Sequence, residues 1–103
     1  MVSESVLESR FQAKLIKDLE QLFPGCIVLK NDPNYIQGIP DLLILFRRRW
    51  AALEVKAALD SERQPNQPYY VDLLDNMSFA AFICPENKKE ILDALQLAFR
   101  TRR

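Results

Sequence analysis

The spacing of hydrophobic residues divides the chain into seven segments of regular structure. Apolar residues recur every three or four positions over residues 3–23, which predicts an amphipathic helix that ends at Pro24 and Gly25. Four apolar runs of strand length follow, with two more helical patterns among them. The predicted order is α-β-β-β-α-β-α, with strands over 26–30, 41–46, 50–56 and 79–84 and helices near 66–76 and after 87.

The last predicted strand, FAAFIC at 79–84, contains no polar residue, which indicates a strand covered by protein on both faces. Beyond it, Asn87 and Glu90 have the spacing of a capping box and predict the start of the last helix. There are no repeats or low-complexity segments, and a chain of 103 residues has room for one hydrophobic core. We therefore expect a single α/β domain over residues 1–103.

Charged residues interrupt the second and third predicted strands. Asp41 begins one apolar run, and Glu54 and Lys56 lie at the end of the other. Ionised side chains are rarely buried unless they are paired or bind a metal. Glu54 and Lys56 point to the same face of their strand, because side chains alternate. Asp41 joins them only if the hairpin has a two- or four-residue turn or a bulge, since a three-residue turn directs it to the other face.

The composition restricts the chemistry that these residues can perform. The chain has no histidine, which excludes Ser-His-Asp and Cys-His catalysis and histidine metal sites. It has only two glycines and no Gly-rich phosphate loop. Two carboxylates beside a lysine can bind Mg²⁺, which takes one or two carboxylates, several waters and a phosphate. The alternative is a buried ion pair without a catalytic role.

The motif of Pro40-Asp41, a strand-length gap and Glu54-Val55-Lys56 resembles the PD-(D/E)XK nuclease superfamily, and the predicted element order resembles its αβββαβ core over nearly the whole chain. GIPDLLIL, LEVK and a glutamine-containing helix are similar to small stand-alone VRR-NUC and phage Holliday-junction-resolvase-like nucleases. The Val-Arg-Arg signature of the VRR-NUC branch is expected near the last strand, where this chain has FICPEN.

The resemblance implies a restriction-endonuclease-like fold with a mixed central sheet and a C-terminal helix. It also implies an endonuclease that uses Mg²⁺ or Mn²⁺ to hydrolyse phosphodiester bonds in DNA, with branched or junction DNA as the expected substrate. Members are commonly homodimers, so we expect a second copy as a partner. The alternative function is a non-catalytic DNA-binding or assembly module that keeps the nuclease fold.

By that resemblance, Asp41 and Glu54 bind the metal together with the backbone carbonyl of Val55, and Lys56 positions the attacking water. Gln67, near the start of the second predicted helix, is expected to face the site and to position water or phosphate. The alternative for Gln67 is a solvated residue at the start of a helix.

Nucleases of this type often carry one more acid on the first helix, where the candidates are Glu4, Glu8 and Glu20. Glu8 lies on the core-facing stripe of the predicted helix, so we expect it to join the metal site. The competing interpretation is a capping box from Ser5 to Glu8. A helix that starts at Ser3 favours the metal site, whereas one that starts at Ser5 favours the cap.

Basic and aromatic residues supply candidates for DNA contacts. Acidic and basic residues number 14 each, so any phosphate binding would depend on local clusters. We expect phosphate contacts from the hairpin tip, which carries Arg47, Arg48 and Arg49, and from Lys30 at the end of the first strand. We expect Tyr70 to stack on bases. The alternatives are a solvated hairpin tip, a solvated strand end and a core tyrosine.

The remaining patterns concern the location of the protein. No apolar stretch approaches the roughly 20 residues of a membrane helix, and the N-terminus does not resemble a signal peptide. Cys26 and Cys84 lie in strand-like runs and are expected to be buried free thiols. We therefore expect a cytoplasmic protein, of a bacterium or a phage-infected host cell, without a membrane partner or an organic cofactor.

Overall fold

The computed structural model describes residues 2–100, which contain four strands and three α-helices. They follow the predicted order, with a short 3-10 turn before the last helix. None of the helices in this part is long and apolar enough to cross a membrane. The elements are α1 (Glu4–Leu22), β1 (Ile27–Lys30), β2 (Leu42–Phe46), β3 (Arg49–Val55), α2 (Gln67–Met77), β4 (Ala80–Ile83) and α3 (Lys88–Arg100).

The four strands form one mixed sheet in the order β1-β2-β3-β4. The pairs β1–β2 and β2–β3 are antiparallel, and β4 pairs with β3 in parallel. A parallel pair needs a crossover connection, which α2 provides between β3 and β4. The predicted mixed α/β architecture with a C-terminal helix is therefore present.

The turn between β2 and β3 sets the register of the two charged strands. Phe46 pairs with Arg49, so the turn holds two residues, Arg47 and Arg48. Extending this ladder one residue beyond the start of β2 places Asp41 directly opposite Glu54. A two-residue turn is one of the turn lengths that place Asp41 and Glu54 on the same face of the sheet, so the two acids face the same side.

Helices cover the two faces of the sheet unequally. On one face, α1 and α3 pack over the main core, in which Leu15, Leu53 and Leu95 are completely buried. On the other face, α2 packs over β3 and β4, where it covers Ala52 and Ala80. The strand β4 is therefore covered on both sides, as its uninterrupted apolar sequence predicts.

The start of α1 decides between the two interpretations of Glu8. The helix begins at Glu4, and its N-cap is Ser3, whose Oγ accepts a hydrogen bond from the Val6 N–H at 3.3 Å. Ser5 already lies inside the helix, so the competing interpretation of a Ser5–Glu8 capping box is wrong. The side chain of Glu8 is consequently not engaged as a cap.

The predicted Asn87–Glu90 capping box is also wrong. The chain makes a 3-10 turn over Pro85–Asn87 before α3 begins. In this turn the Asn87 side chain points back, where its Oδ1 accepts a hydrogen bond from the Cys84 N–H at 2.8 Å. The amide therefore ties the end of β4 to the turn rather than capping the helix that follows.

Gly38 holds the loop before β2 against the start of α2. Its φ is +93°, and a Cβ atom built there would lie 2.5 Å from the Cβ and 2.7 Å from the carbonyl carbon of Asn66. Asn66 is the N-cap residue of α2 and itself has a φ of 73°. Glycine is the residue that permits both this conformation and this approach, so Gly38 helps to position the first turn of α2.

We expect Gly38→Ala to destabilise the protein more than Gly25→Ala. Both glycines have a positive φ, so each substitution costs about 1–2 kcal/mol of unfolding free energy. At Gly25 no atom of residues 2–100 lies within 4 Å of the added methyl group, whereas at Gly38 the methyl group overlaps Asn66, which adds about 1–3 kcal/mol. Urea denaturation followed by circular dichroism measures both losses, and equal losses would contradict the close contact at Gly38.

Candidate active site

A polar pocket lies at the end of the sheet where β2 begins and β3 ends. The first turns of α1 and the start of α2 form two of its walls, and the loop over 57–66 forms a third. Helix N-termini carry a partial positive charge, which favours carboxylates and phosphates near them. The pocket brings together the five side chains predicted for catalysis and metal binding, which are Glu8, Asp41, Glu54, Lys56 and Gln67.

Asp41 is held at the end of β3 by a backbone hydrogen bond. Asp41 directly precedes β2, and its Oδ2 accepts a hydrogen bond from the N–H of Val55, the last residue of β3, at 2.9 Å. The N–H and C=O of a strand residue point to the same side of the strand, so the Val55 carbonyl also faces Asp41, while its side chain is completely buried in the core. Burial raises the pKa of Asp41, and the hydrogen bond from Val55 opposes that effect.

Glu54 is an almost completely buried acid, with only 2% of its surface exposed. Its Oε2 accepts a hydrogen bond from Gln67 Nε2 at 2.8 Å, but its Oε1 has no hydrogen-bond partner among residues 2–100. Burial and the neighbouring Asp41 carboxylate raise the pKa of Glu54 to about 8. A buried carboxylate oxygen without a partner is costly, and a proton or a cation bound there would compensate.

Lys56 lies on the same face as Glu54 but does not satisfy its unpartnered oxygen. The Nζ atom donates to the backbone carbonyl of Glu62 at 3.0 Å and lies 3.9 Å from Oε2 of Glu54. The latter distance is too long for a hydrogen bond. An ammonium group has three N–H donors, so Lys56 retains donors for a further group in the pocket.

Gln67 joins the start of α2 to the buried acid. Its Nε2 donates to Glu54, and its Oε1 accepts from the Gln64 N–H at 2.8 Å. Both ends of the amide are bonded to the protein, which determines its orientation. Gln67 is therefore a pocket residue and not a solvated residue at the start of a helix.

Of the three candidate acids on α1, Glu4 and Glu8 line the pocket and Glu20 does not. Glu8 is half-buried in the pocket, and its pKa is raised by burial and then by the charge of Asp41. Glu4 also lines the pocket, where it is hydrogen-bonded to the hydroxyl of Ser61. Glu20, near the other end of α1, is outside the pocket.

The predicted arginine contacts lie away from the pocket. Arg47, Arg48 and Arg49 occupy the opposite end of β2 and β3, beyond Phe46 at about 17 Å from Asp41 along the strand. There the three arginines line a second, open concavity at the C-terminal end of α3. Their predicted contact with DNA therefore concerns a different part of the molecule from the carboxylates.

Lys30 and Tyr70 are also outside the pocket. Lys30 pairs with Leu42, so its side chain is on the face of α1 and α3 and not on the face of Glu54. Tyr70 is half-buried, and its ring packs against Tyr69 at a centroid distance of 5.0 Å. Tyr69 is 62% exposed, so it presents more ring surface to a ligand than Tyr70 does.

The loop over 57–66 contributes pocket residues that the sequence pattern did not indicate. Glu62 acts through its backbone carbonyl, which anchors Lys56, and Ser61 binds Glu4 from a position 57 residues away in the chain. Gln64 bonds to Gln67 through its backbone N–H. A polar loop carries no periodicity that would reveal such contacts, because two of them use backbone atoms.

The acids fit a hard cation that needs few protein ligands. Within residues 2–100, no group of three or more Asp, Glu or Cys side chains is arranged to hold a metal ion by itself. Mg²⁺ usually takes one or two carboxylates and completes its shell with water and phosphate oxygens, and Mn²⁺ favours the same ligands. The opposed carboxylates of Asp41 and Glu54 and the unpartnered Oε1 fit this requirement.

We expect the metal-free protein to lose stability as the pH rises from about 4.5 to about 8, and Glu54→Gln to reduce that loss. The raised pKa means that the folded protein retains a proton on Glu54 that the unfolded chain has released. One such proton changes the unfolding free energy by at most about 1.4 kcal/mol per pH unit. Urea denaturation in EDTA at several pH values measures the slope.

Glu90→Gln is the control for that measurement, because it removes an exposed acid on α3. It should leave the slope nearly unchanged. The same slope in wild-type protein and Glu54→Gln would show that Glu54 is ionised without cost in the folded state.

Comparisons of this chain with protein-family models, with curated proteins and with solved structures found no match. The chemistry of the pocket must therefore be inferred from its own residues. These are two opposed acids, of which one is buried with an unpartnered oxygen, together with a lysine and a glutamine.

Proposed function

We propose that this protein is a metal-dependent endodeoxyribonuclease of the PD-(D/E)XK type, which hydrolyses phosphodiester bonds in branched or junction DNA. The observation that carries the proposal is Oε1 of Glu54, which is buried opposite Asp41 and has no hydrogen-bond partner in the described part of the chain. A structural ion pair would satisfy that oxygen with the lysine. Here Lys56 lies 3.9 Å from the other oxygen, Oε2, and donates its hydrogen bond to a backbone carbonyl, so Oε1 is not satisfied.

Asp41 and Glu54 would hold Mg²⁺ or Mn²⁺ with the Val55 carbonyl as a further ligand, and Glu8 would join them only by moving closer, since the three acids are not arranged to hold an ion by themselves among residues 2–100. When bound, such an ion lowers the pKa of a coordinated water and neutralises charge on the phosphate. The protein orients both acids in advance, because the Val55 N–H bonds to Asp41 and the Gln67 amide bonds to Glu54. Oxygen ligands held in place by such bonds need little rearrangement on binding.

Lys56 is the residue that we assign to the attacking water and the developing phosphate charge. The Glu62 carbonyl uses one donor of the ammonium, so others can reach a water or a phosphate oxygen. Lysine and carboxylates perform this chemistry without histidine, in agreement with the composition. The N-termini of α1 and α2 further favour a phosphate in the pocket.

Purified protein should cleave DNA when Mg²⁺ or Mn²⁺ is added, and Glu54→Ala should lower the rate by about 100-fold or more. A panel of linear, flapped, looped and four-way-junction DNA measures the rate and the preferred structure. Circular dichroism should show that the variant remains folded. Cleavage that continues in excess EDTA would disprove the metal mechanism, and intact DNA binding without Mn²⁺ uptake in calorimetry would favour the non-catalytic module.

Glu8→Gln should weaken Mn²⁺ binding by about 10- to 100-fold, the range seen when groups around a metal are removed. Glu20→Gln makes the same charge change on the same helix but outside the pocket, so it should leave binding unchanged. Isothermal titration calorimetry with Mn²⁺ compares the two variants. Equal affinities would remove Glu8 from the metal site and leave Asp41 and Glu54 as its acids.

A further inference from the structure

Arg63 is held beside the pocket by both of its neighbours in the chain. The carbonyl of Glu62 accepts a hydrogen bond from Lys56 Nζ at 3.0 Å. On the other side, the N–H of Gln64 donates to Gln67 Oε1 at 2.8 Å. Both bonds join the loop to residues that line the pocket. The backbone of Arg63 is therefore fixed next to the candidate site, although its own side chain is not part of the pocket lining.

The side chain of Arg63 extends from the loop to β4. Its guanidinium carbon lies 3.8 Å from the centre of the Phe82 ring, which is within the range of a cation–π contact. Phe82 pairs with Glu54 in the parallel ladder between β3 and β4, so their side chains face the same side of the sheet on strands about 4.8 Å apart. The guanidinium of Arg63 therefore lies over the face of the sheet that carries the buried acid.

The contact with Phe82 leaves the hydrogen-bonding groups of Arg63 available. Stacking uses the flat face of a guanidinium, whereas its N–H donors lie in its plane. Within residues 2–100, the Arg63 side chain has neither a hydrogen bond nor an ion pair with an acid. Because the ring already restricts the guanidinium, an anion that binds to it has less conformational freedom to remove.

The pocket beside Arg63 has an excess of negative charge. Among the described residues that line it, five are acids and one, Lys56, is a cation. A metal ion would offset this charge at the cleaved bond, but the phosphates on either side of that bond would still lie near carboxylates. Arg63 is the only basic residue in the loop over 57–66. The arginines of the hairpin tip begin about 17 Å away from Asp41 along the strand.

We propose that Arg63 binds a DNA phosphate next to the cleaved bond, and that Phe82 holds the guanidinium in the orientation for this contact. The assignment rests on the proposed function, because it requires DNA in the pocket. Arginine can bind a phosphate through two parallel N–H donors, which a lysine cannot do. Phe82 is a positioning residue, since it acts on the phosphate only through Arg63.

Steady-state cleavage with Mg²⁺ tests the contact, on the DNA structure that the wild-type protein cleaves fastest. Arg63→Met removes the charge but keeps a long side chain that can cover the Phe82 ring. It is expected to raise KM by about 10-fold or more, the effect of losing a hydrogen bond to a charged group. The value of kcat is expected to stay within about twofold, because the contact is made equally in the ground state and the transition state.

The salt dependence separates a phosphate contact from a structural role. In Arg63→Met, a plot of log(kcat/KM) against log[KCl] is expected to lose about 0.7–0.9 of its slope, the value for one phosphate contact. Arg63→Lys keeps the charge, so its slope should equal that of the wild type, with an intermediate KM. Phe82→Leu removes the ring but not the arginine, so it should raise KM by about 2- to 5-fold at an unchanged slope.

Lys17→Met is the matched control, because it also removes an exposed cation, at a position on α1 outside the pocket. Lys17 is about 14 Å from Glu8 along the helix, so KM and the salt slope should not change. Circular dichroism should show that the variants are folded. The two Arg63 variants change an exposed residue and complete the test even if Phe82→Leu does not fold.

The outcomes distinguish this assignment from the proposed function. If the wild-type protein cleaves DNA and Arg63→Met has an unchanged KM or an unchanged salt slope, Arg63 does not bind phosphate and the assignment alone is overturned. A slope that falls equally in Arg63→Lys and Arg63→Met would also overturn it. A wild-type protein that cleaves none of the DNA structures would overturn the proposed function, and this assignment with it.

Discussion

The register between β2 and β3 is the constraint on which the site depends. It places Asp41 opposite Glu54, and the Val55 N–H then holds the Asp41 carboxylate at the end of β3. A slip of one residue would exchange Asp41 with Leu42, which is completely buried in the core beneath α1 and α3. The same packing that forms the core therefore keeps the two acids together, and the site cannot shift unless the core is lost.

Burial of Glu54 is tolerated because elements distant in the sequence support it. Gln67 at the start of α2 satisfies one oxygen, and Lys56 stays nearby because Glu62 anchors it. The loop that contains Glu62 is itself tied to α1 through Glu4. Within residues 2–100, Oε1 of Glu54 still has no hydrogen-bond partner. Acids with a perturbed pKa and incomplete hydrogen bonding are concentrated at functional sites.

Charge is distributed unevenly along the strands. The acids lie at one end with the N-termini of α1 and α2, whereas Arg47, Arg48, Arg49 and Arg100 lie at the other with the C-terminal ends of all three described helices. Helix C-termini carry a partial negative charge that arginine offsets. The position of the arginines therefore has a structural cause, and their contact with DNA phosphates stays a prediction.

The sequence by itself determined the order of the elements and the candidate acids, because periodicity and helix breakers depend on neighbouring residues. It left open the turn length, and so the face of Asp41, because three consecutive arginines permit several turns. Ser3 and Ser5 could each cap a helix, and the choice depends on where packing starts α1. The bond from Gln67 to Glu54 and the stacking of Arg63 on Phe82 are contacts between distant segments, which only the tertiary structure decides.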